Sequence, residues 1–219
     1  MQIYFVRHGK TEWNLKRRFQ GAHGDSPLLA ESLNDIEKLG NHLKGTNFNG
    51  IYSSPLKRAF DTANGVKKAI SSDLSVKKDE RLREFDMGLM EGLKFDKASA
   101  KFPKQVDDIW NRPDKYDGKS IQGENYPDVI SRGKSFATEK ASQFTGVDDK
   151  VLAVSHGAAL GAIMGGLLGY PLKDVRCNGP LSNTSLTILE TLDQGATFKL
   201  IVWNDTSFLE RDISGTDAL

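Results

Sequence analysis

Two short runs in this chain end alike. Phe5-Val6 leads into Arg7-His8-Gly9, and Ala153-Val154 leads into Ser155-His156-Gly157. Each run has the β-branched and apolar content of a buried strand and stops abruptly at a histidine followed by glycine. A neutral imidazole is both a nucleophile and a proton carrier near neutral pH. A third junction, Ser53-Ser54-Pro55-Leu56-Lys57-Arg58, reads as a helix start, with a hydroxyl cap, proline at the first helical position and Arg58 in the first turn. Helix starts attract anions through free N–H groups and the dipole, and Arg7 with Arg58 offers planar forked hydrogen bonds to a phosphate. Glu84, in Leu82-Arg83-Glu84-Phe85, adds a carboxyl that can carry a proton. Singly, each residue has a blander reading: a strand-end histidine that is only hydrogen-bonded, an arginine in a surface ion pair, a solvated glutamate. Jointly they make a nucleophile, two permanent cations, a second imidazole and an acid, which is the equipment of phosphoryl transfer.

For these residues to meet, the strands that carry them must lie in one sheet and end on one side of it. Residues 2–6, 50–52, 74–78 and 150–154 read as strands. Helical spacing covers 28–43 (Leu29, Leu33, Ile36, Leu39, Leu43), then 55–70, and resumes over 129–144. Residues 158–170 form a glycine-punctuated apolar helix, and Gly157, Gly161, Gly165 and Gly169 are expected to let it lie close on the sheet. Segments 185–190 and 197–203 flank Asp193-Gln194-Gly195 as a β-hairpin. The expected fold class is α/β: a three-layer α/β/α arrangement with a mostly parallel central sheet, a C-terminal β-hairpin and a helical or loop insertion. One domain, 1–219, carries that insertion or lid at about 91–126, where Pro103, Pro113 and Gly118 interrupt a polar stretch. In an open sheet of this kind the ligand crevice lies at the C-terminal ends of the parallel strands. The glycine after each histidine is expected to permit a tight turn and close approach of the backbone to a ligand.

Composition narrows the function. The 219 residues hold 30 Lys+Arg against 29 Asp+Glu, a formal charge of +1, which argues against a broad nucleic-acid-binding face. Cys177 is the only cysteine, so no internal disulfide forms; it reads as a buried or partly buried small residue in a reducing compartment. The N-terminus has no signal-peptide character, and 158–170 is too short to span a bilayer, so a cytoplasmic protein with a small phosphorylated partner is expected. Gly118-Lys119-Ser120 and Gly133-Lys134-Ser135 lack the upstream glycine of a phosphate-binding loop, having Pro113 and Asp128 there. Cys177 lacks an arginine six residues on, where Asn183 stands, and no Asp-x-Asp occurs. No histidine pair has metalloprotease spacing, so neither a metal nor a cofactor is expected. His42 reads as an exposed helix residue and His23 as a solvated loop residue.

The run Arg7-His8-Gly9-Lys10-Thr11-Glu12-Trp13-Asn14 resembles the signature of the histidine phosphatase superfamily, in its phosphoglycerate mutase-like branch. The resemblance continues through Gln20-Gly21, Asp25-Ser26-Pro27-Leu28, Ser53 to Ala59, Thr62-Ala63, Leu82 to Gly88, Glu91-Gly92 and Val154-Ser155-His156-Gly157, in order. It implies that His8 is the phosphorylated nucleophile and Glu84 the proton donor and acceptor. Arg7, Arg58 and His156 would complete the phosphate pocket. Asn14, Gln20 and Gly21 would lie along the substrate loop, with Gly157 also facing substrate. One departure is the stretch Leu29-Ala30-Glu31-Ser32, where the family has a threonine and a later glycine opening a helix. After Glu84 the chain reads Phe85-Asp86-Met87-Gly88, which resembles the broad-specificity phosphatases rather than the Glu-Arg-His/Tyr-Tyr-Gly of the mutases. The implied activity is therefore a metal-independent phosphomonoester hydrolase, with a cofactor-dependent mutase and a non-catalytic phospho-ligand binder as alternatives. Phe95, Phe102, Trp110 and Tyr116 are either substrate surface or the insertion's own small core.

Overall fold

The structure, a computed structural model, describes residues 1–218. Its elements follow as β1 (Gln2–Arg7), α1 (Glu12–Leu15), α2 (Ala30–His42), β2 (Gly50–Ser53), α3 (Lys57–Ala69), β3 (Val76–Lys78), α4 (Phe95–Lys101), α5 (Pro103–Asn111), α6 (Tyr126–Gln143), β4 (Lys150–Ser155), α7 (Gly157–Leu167), β5 (Leu186–Glu190) and β6 (Lys199–Asp205). The six strands form one sheet in the order β3-β2-β4-β1-β5-β6. The first four are mutually parallel, while β5 runs antiparallel to β1 and pairs with β6 as the expected hairpin.

Alternation along the strands divides the core into two layers. Val6, Ile51, Leu152 and Val154 face α2 and α3, where Ile36, Leu39, Ala63 and Val66 meet them. Ile3, Phe5, Val151 and Ala153 face the other way, onto α6, α7 and the side chains of 82–121. The segment 91–126 contributes Ala98, Ile109, Tyr116 and Ile121 to that same buried cluster. No helix among the described residues is long and apolar enough to cross a membrane.

Helix α7 is buried along nearly its whole length, but its glycines do not serve the sheet. A Cβ on Gly166 would come within 2.5 Å of Ile130 on α6, and one on Gly165 within 2.4 Å of the Val175 carbonyl. From the facing helix, Gly133 makes room for Ile163. The small residues leave room for Ile130 and Ile163 between α6 and α7 and let the backbone at Val175 fold back on α7. Helix α3 begins at Lys57, with Leu56 as its N-cap, rather than at Pro55. Its first amide is met by Asp25 Oδ2 at 2.8 Å, a carboxylate from a distant loop, while the Ser54 hydroxyl, shared with His156 Nε2, accepts from the Leu56 amide at 3.3 Å. Cys177 is exposed rather than buried, since it lies in the turn that follows α7 and not in the core.

Candidate active site

Register places the chemistry. Arg7 pairs with Ser155, and Ser53 with Val154, so three parallel strands end nearly level. The residues that follow, His8, His156 and Ser54, therefore stand side by side. The His8 and His156 rings lie 5.1 Å apart between centroids. His156 Nε2 is 2.8 Å from Ser54 Oγ. A serine hydroxyl can donate to or accept from a ring nitrogen; where it donates to Nε2, Nδ1 of His156 carries the ring proton.

His8 is fixed on both nitrogens. Its Nδ1 is 2.7 Å from the Gly9 carbonyl, an acceptor only, so Nδ1 bears the proton and Nε2 keeps its lone pair. Arg58 Nε donates to that Nε2 at 3.3 Å. Burial first, then Arg58 and Arg7, hold His8 well below the ordinary imidazole value. Burial and the Arg58 charge do the same to His156. Burial lowers Arg7 to about 10 although Glu84 and Asp217 oppose it. At neutral pH the centre thus holds neutral imidazoles beside charged guanidiniums.

Glu84 comes from the loop after β3, and its carboxylate is held at the start of α7. Its Oε1 accepts from Ala159 N at 2.7 Å and Phe85 N at 2.9 Å, and its Oε2 from Ala158 N at 3.3 Å. A small cavity, open at its mouth, is lined by Arg7, His8, Asn14, Gln20, Glu84 and Gly157. Sequence reasoning named each of those six. Around the outer part stand Arg18, Phe19, Met87, Phe95, Trp110 and Ala158. Phe95 and Trp110 were candidates for this surface; Tyr116 is instead buried edge-on against Phe85 and Tyr126, and Phe102 packs on the core. Arg18, Phe19 and Met87 were missed, although Phe19 directly precedes Gln20 and Met87 lies within the Glu84 motif.

The remaining expected residues sit behind the cavity. Arg58 does not line it: Nη2 donates to the Gln20 and Gly21 carbonyls, and Nη1 to the Gly24 carbonyl and Asp25 Oδ1. With Nε on His8, all five N–H groups are engaged by the protein, so the expected fork toward a ligand is not the one this arrangement presents. Gly21 likewise faces Arg58 and Glu91 rather than the cavity. Gly9 makes close approach to α2, not to a ligand: a Cβ there would lie 3.1–3.2 Å from Ile36, Leu28 and Ser32. Three buried nitrogens of this centre, Arg7 Nε, Gln20 Nε2 and His156 Nδ1, have no hydrogen-bond partner within the protein.

Among the described residues, the one cluster of metal-ligating groups within 4.8 Å of one another is His23, Asp86 and Glu91. It is a poor cation site. The Glu91 oxygens already accept from the amides of Ala22, His23, Gly24 and Met87, and exposed His23 pairs with Asp86 at 3.1 Å. His42 is exposed and stacks on Phe208.

Comparison with known proteins fits this geometry. The family model of the histidine phosphatase superfamily (branch 1) matches residues 3–206. A probable phosphoglycerate mutase GpmB of Salmonella paratyphi A is 33% identical over 174 residues, covering 78% of this chain and 76% of the relative. YhfR of Bacillus stearothermophilus superposes with a TM-score of 0.87 at 33% identity, covering 95% of this chain and 99% of that one. The mycobacterial glucosyl-3-phosphoglycerate phosphatase Rv2419c, in complex with VO3, superposes with a TM-score of 0.82 at 28% identity, covering 93% and 98%. The chain belongs to the histidine phosphatase superfamily, in its branch 1.

Proposed function

We propose that the protein is a metal-independent phosphomonoester hydrolase acting through a phosphohistidine on His8. The observation that carries this reading is the His8 ring itself: neutral, with its Nδ1 proton fixed on Gly9 and its Nε2 lone pair beside Arg58, at the floor of a cavity shared with Glu84. Nε2 attacks phosphorus as the P–O ester bond breaks, and Glu84 gives its proton to the departing oxygen. A water then returns a proton to Glu84 as its oxygen attacks phosphorus; the N–P bond breaks and its electron pair returns to Nε2. Arg7 Nε, Gln20 Nε2 and His156 Nδ1, three buried nitrogens in need of acceptors, meet the equatorial oxygens. Fixed cations and donors thus supply the charge stabilisation on which phosphoryl transfer depends. Asn14 and Gly157 border the substrate, and Phe19, Phe95 and Trp110 favour leaving groups with an apolar face. The phosphatase name of the mycobacterial structural relative supports hydrolysis.

A mutase reading has one specific support, the phosphoglycerate mutase name carried by the GpmB relatives. Against it stands Phe85-Asp86-Met87-Gly88 after Glu84. Both are tested together by phosphate release from a panel of phosphomonoesters, 3-phosphoglycerate included, in excess EDTA and beside His8→Ala. Release that survives EDTA and vanishes with His8→Ala is the expected result. Near wild-type release by His8→Ala would overturn the assignment. Isomerisation of 3-phosphoglycerate with no phosphate release would install the mutase, and silence of the wild type in both would install the non-catalytic binder.

A further inference from the structure

Glu91 lies outside the cavity, yet its carboxylate is bound more completely than that of Glu84. Oε1 accepts from Ala22 N at 2.8 Å and Met87 N at 3.2 Å; Oε2 accepts from Gly24 N at 2.7 Å and His23 N at 2.9 Å. Three of these amides belong to the loop 20–25. The carbonyls of that same loop point the other way, onto Arg58: Gln20 O at 2.8 Å, Gly24 O at 2.9 Å and Gly21 O at 3.1 Å. The loop is therefore sandwiched between a carboxylate that takes its N–H groups and a guanidinium that takes its C=O groups. The Gly21–Ala22 peptide spans the two charges, its C=O on Arg58 and its N–H on Glu91, so through it each charge reinforces the grip of the other. The fit leaves no slack, since a Cβ on Gly21 would come within 2.1 Å of Glu91 Oε1.

What Arg58 has left after gripping the loop is Nε, and Nε rests on His8 Nε2 at 3.3 Å. We infer that Glu91 is a positioning residue of the active site, which acts through the loop 20–25 to set Arg58 against His8 and so keeps the nucleophilic nitrogen oriented and unprotonated. The inference rests on the reading of His8 as nucleophile, but its geometry does not require turnover. The groups that face His8 are Arg7 on its own strand, Arg58 from α3, His156 beyond β4, and Glu84 across the cavity. Glu91 hydrogen-bonds none of them directly; its route to the ring runs through the loop and Arg58, while Met87 N ties it to the segment that carries Glu84.

The test reads His8 directly. The full chain, labelled with 15N in its histidines, is titrated by NMR as wild type and as Glu91→Gln, and kcat/KM for an aryl phosphate is measured on both. Glu91→Gln replaces one acceptor oxygen by a donor and removes the charge. The expected result is a folded protein in which His8 titrates at higher pH than in wild type, with kcat/KM lower by about 10- to 100-fold through misplacement of Arg58. His8 titrating unchanged in a folded Glu91→Gln would overturn the inference, leaving Glu91 as a tie for the loop alone. Should Glu91→Gln not fold, Glu91→Asp keeps the charge on a shorter arm: a smaller shift in the same direction supports the inference and an unmoved His8 overturns it. A shifted His8 in a protein whose wild type hydrolyses nothing would uphold the positioning role and remove the hydrolase reading.

Discussion

The two arginines that flank His8 are held in opposite ways. Arg58, at the start of α3, gives every N–H to a fixed partner: four to the loop 20–25 and one to His8. Arg7, at the end of β1, is anchored through Nη1 on the carbonyls of Leu181 and Asp217, and its buried Nε has no protein partner. A guanidinium whose donors are all taken acts on its neighbour by charge and by a fixed hydrogen bond. One that is tied at a single nitrogen keeps the others for a ligand. Two cations that look interchangeable in sequence are thus differently placed; under the proposed function, Arg58 would set the state of the nucleophile and Arg7 would meet the phosphate.

The sharpest way to break this division is to remove each cation in turn. Arg58→Ala strands the Gln20, Gly21 and Gly24 carbonyls and Asp25, so it should lower stability by about 2–4 kcal/mol as well as depress kcat. Arg7→Ala should lower kcat/KM by about 10²–10³ through loss of a phosphate donor, with a smaller stability loss of about 1–2 kcal/mol. Urea unfolding and steady-state kinetics on both variants decide the matter. If Arg7→Ala proves the more destabilising of the two, the assigned roles are exchanged.

The pH dependence of stability sharpens the same contrast. His8 and His156 are both held well below the ordinary imidazole value, by burial and then by Arg58. Above the unfolded value of about 6.5 neither folded nor unfolded state binds the extra protons, and the contribution of these groups is constant. As pH falls below that value the unfolded chain takes up protons that the native rings refuse. Stability should then drop with a slope of about 1.4 kcal/mol per pH unit for each histidine, continuing until the folded values are reached. Urea midpoints compared between pH 7.5 and 5.5 should fall less steeply in His156→Asn than in wild type, by about one histidine's share. Parallel slopes would mean that His156 is protonated in the native protein.

The strand ends were readable because burial, β-branching and an abrupt polar stop coincide there, and the register of β1 against β4 then brings His8 to His156. Glu84 was readable as a carboxyl able to carry a proton, Asn14 and Gln20 through motif resemblance, and each lines the cavity. What sequence could not show is which donors of an arginine are already engaged. The engagement of Arg58 depends on carbonyls of residues 20–24, and a backbone carbonyl carries no sequence signature. The helix start at Lys57 was misread for a related reason: Asp25, far away in sequence, meets the Lys57 amide, while the local Ser54 hydroxyl reaches only the Leu56 amide before it. The glycines of α7 showed that something approaches closely, but not that it is α6. Local propensity names elements; long-range partners decide what each polar group has left to offer.

The smallest expected effect tests the anchor of Arg7 from the far end of the chain. Asp217 lends its carbonyl to Arg7 Nη1 at 2.8 Å, while its side chain accepts from Arg211 at 3.1 Å and from Ser214 N at 2.8 Å and lies 3.4 Å from buried Lys10. Burial works to raise this carboxyl, yet the hydrogen bonds from Arg211 and Ser214 bring it down to about 2, so the clasp stays charged at every pH at which the enzyme would be assayed. Asp217→Ala should loosen residues 211–218 locally and leave Arg7 with the Leu181 carbonyl as its remaining anchor. The expected cost is about three- to tenfold in kcat/KM, well short of Arg7→Ala, because the guanidinium keeps its charge and one of its two supports. An effect as large as that of Arg7→Ala would show that the tail, and not the strand end alone, sets where the phosphate-facing cation stands. No effect on kcat/KM would show that Leu181 holds it unaided.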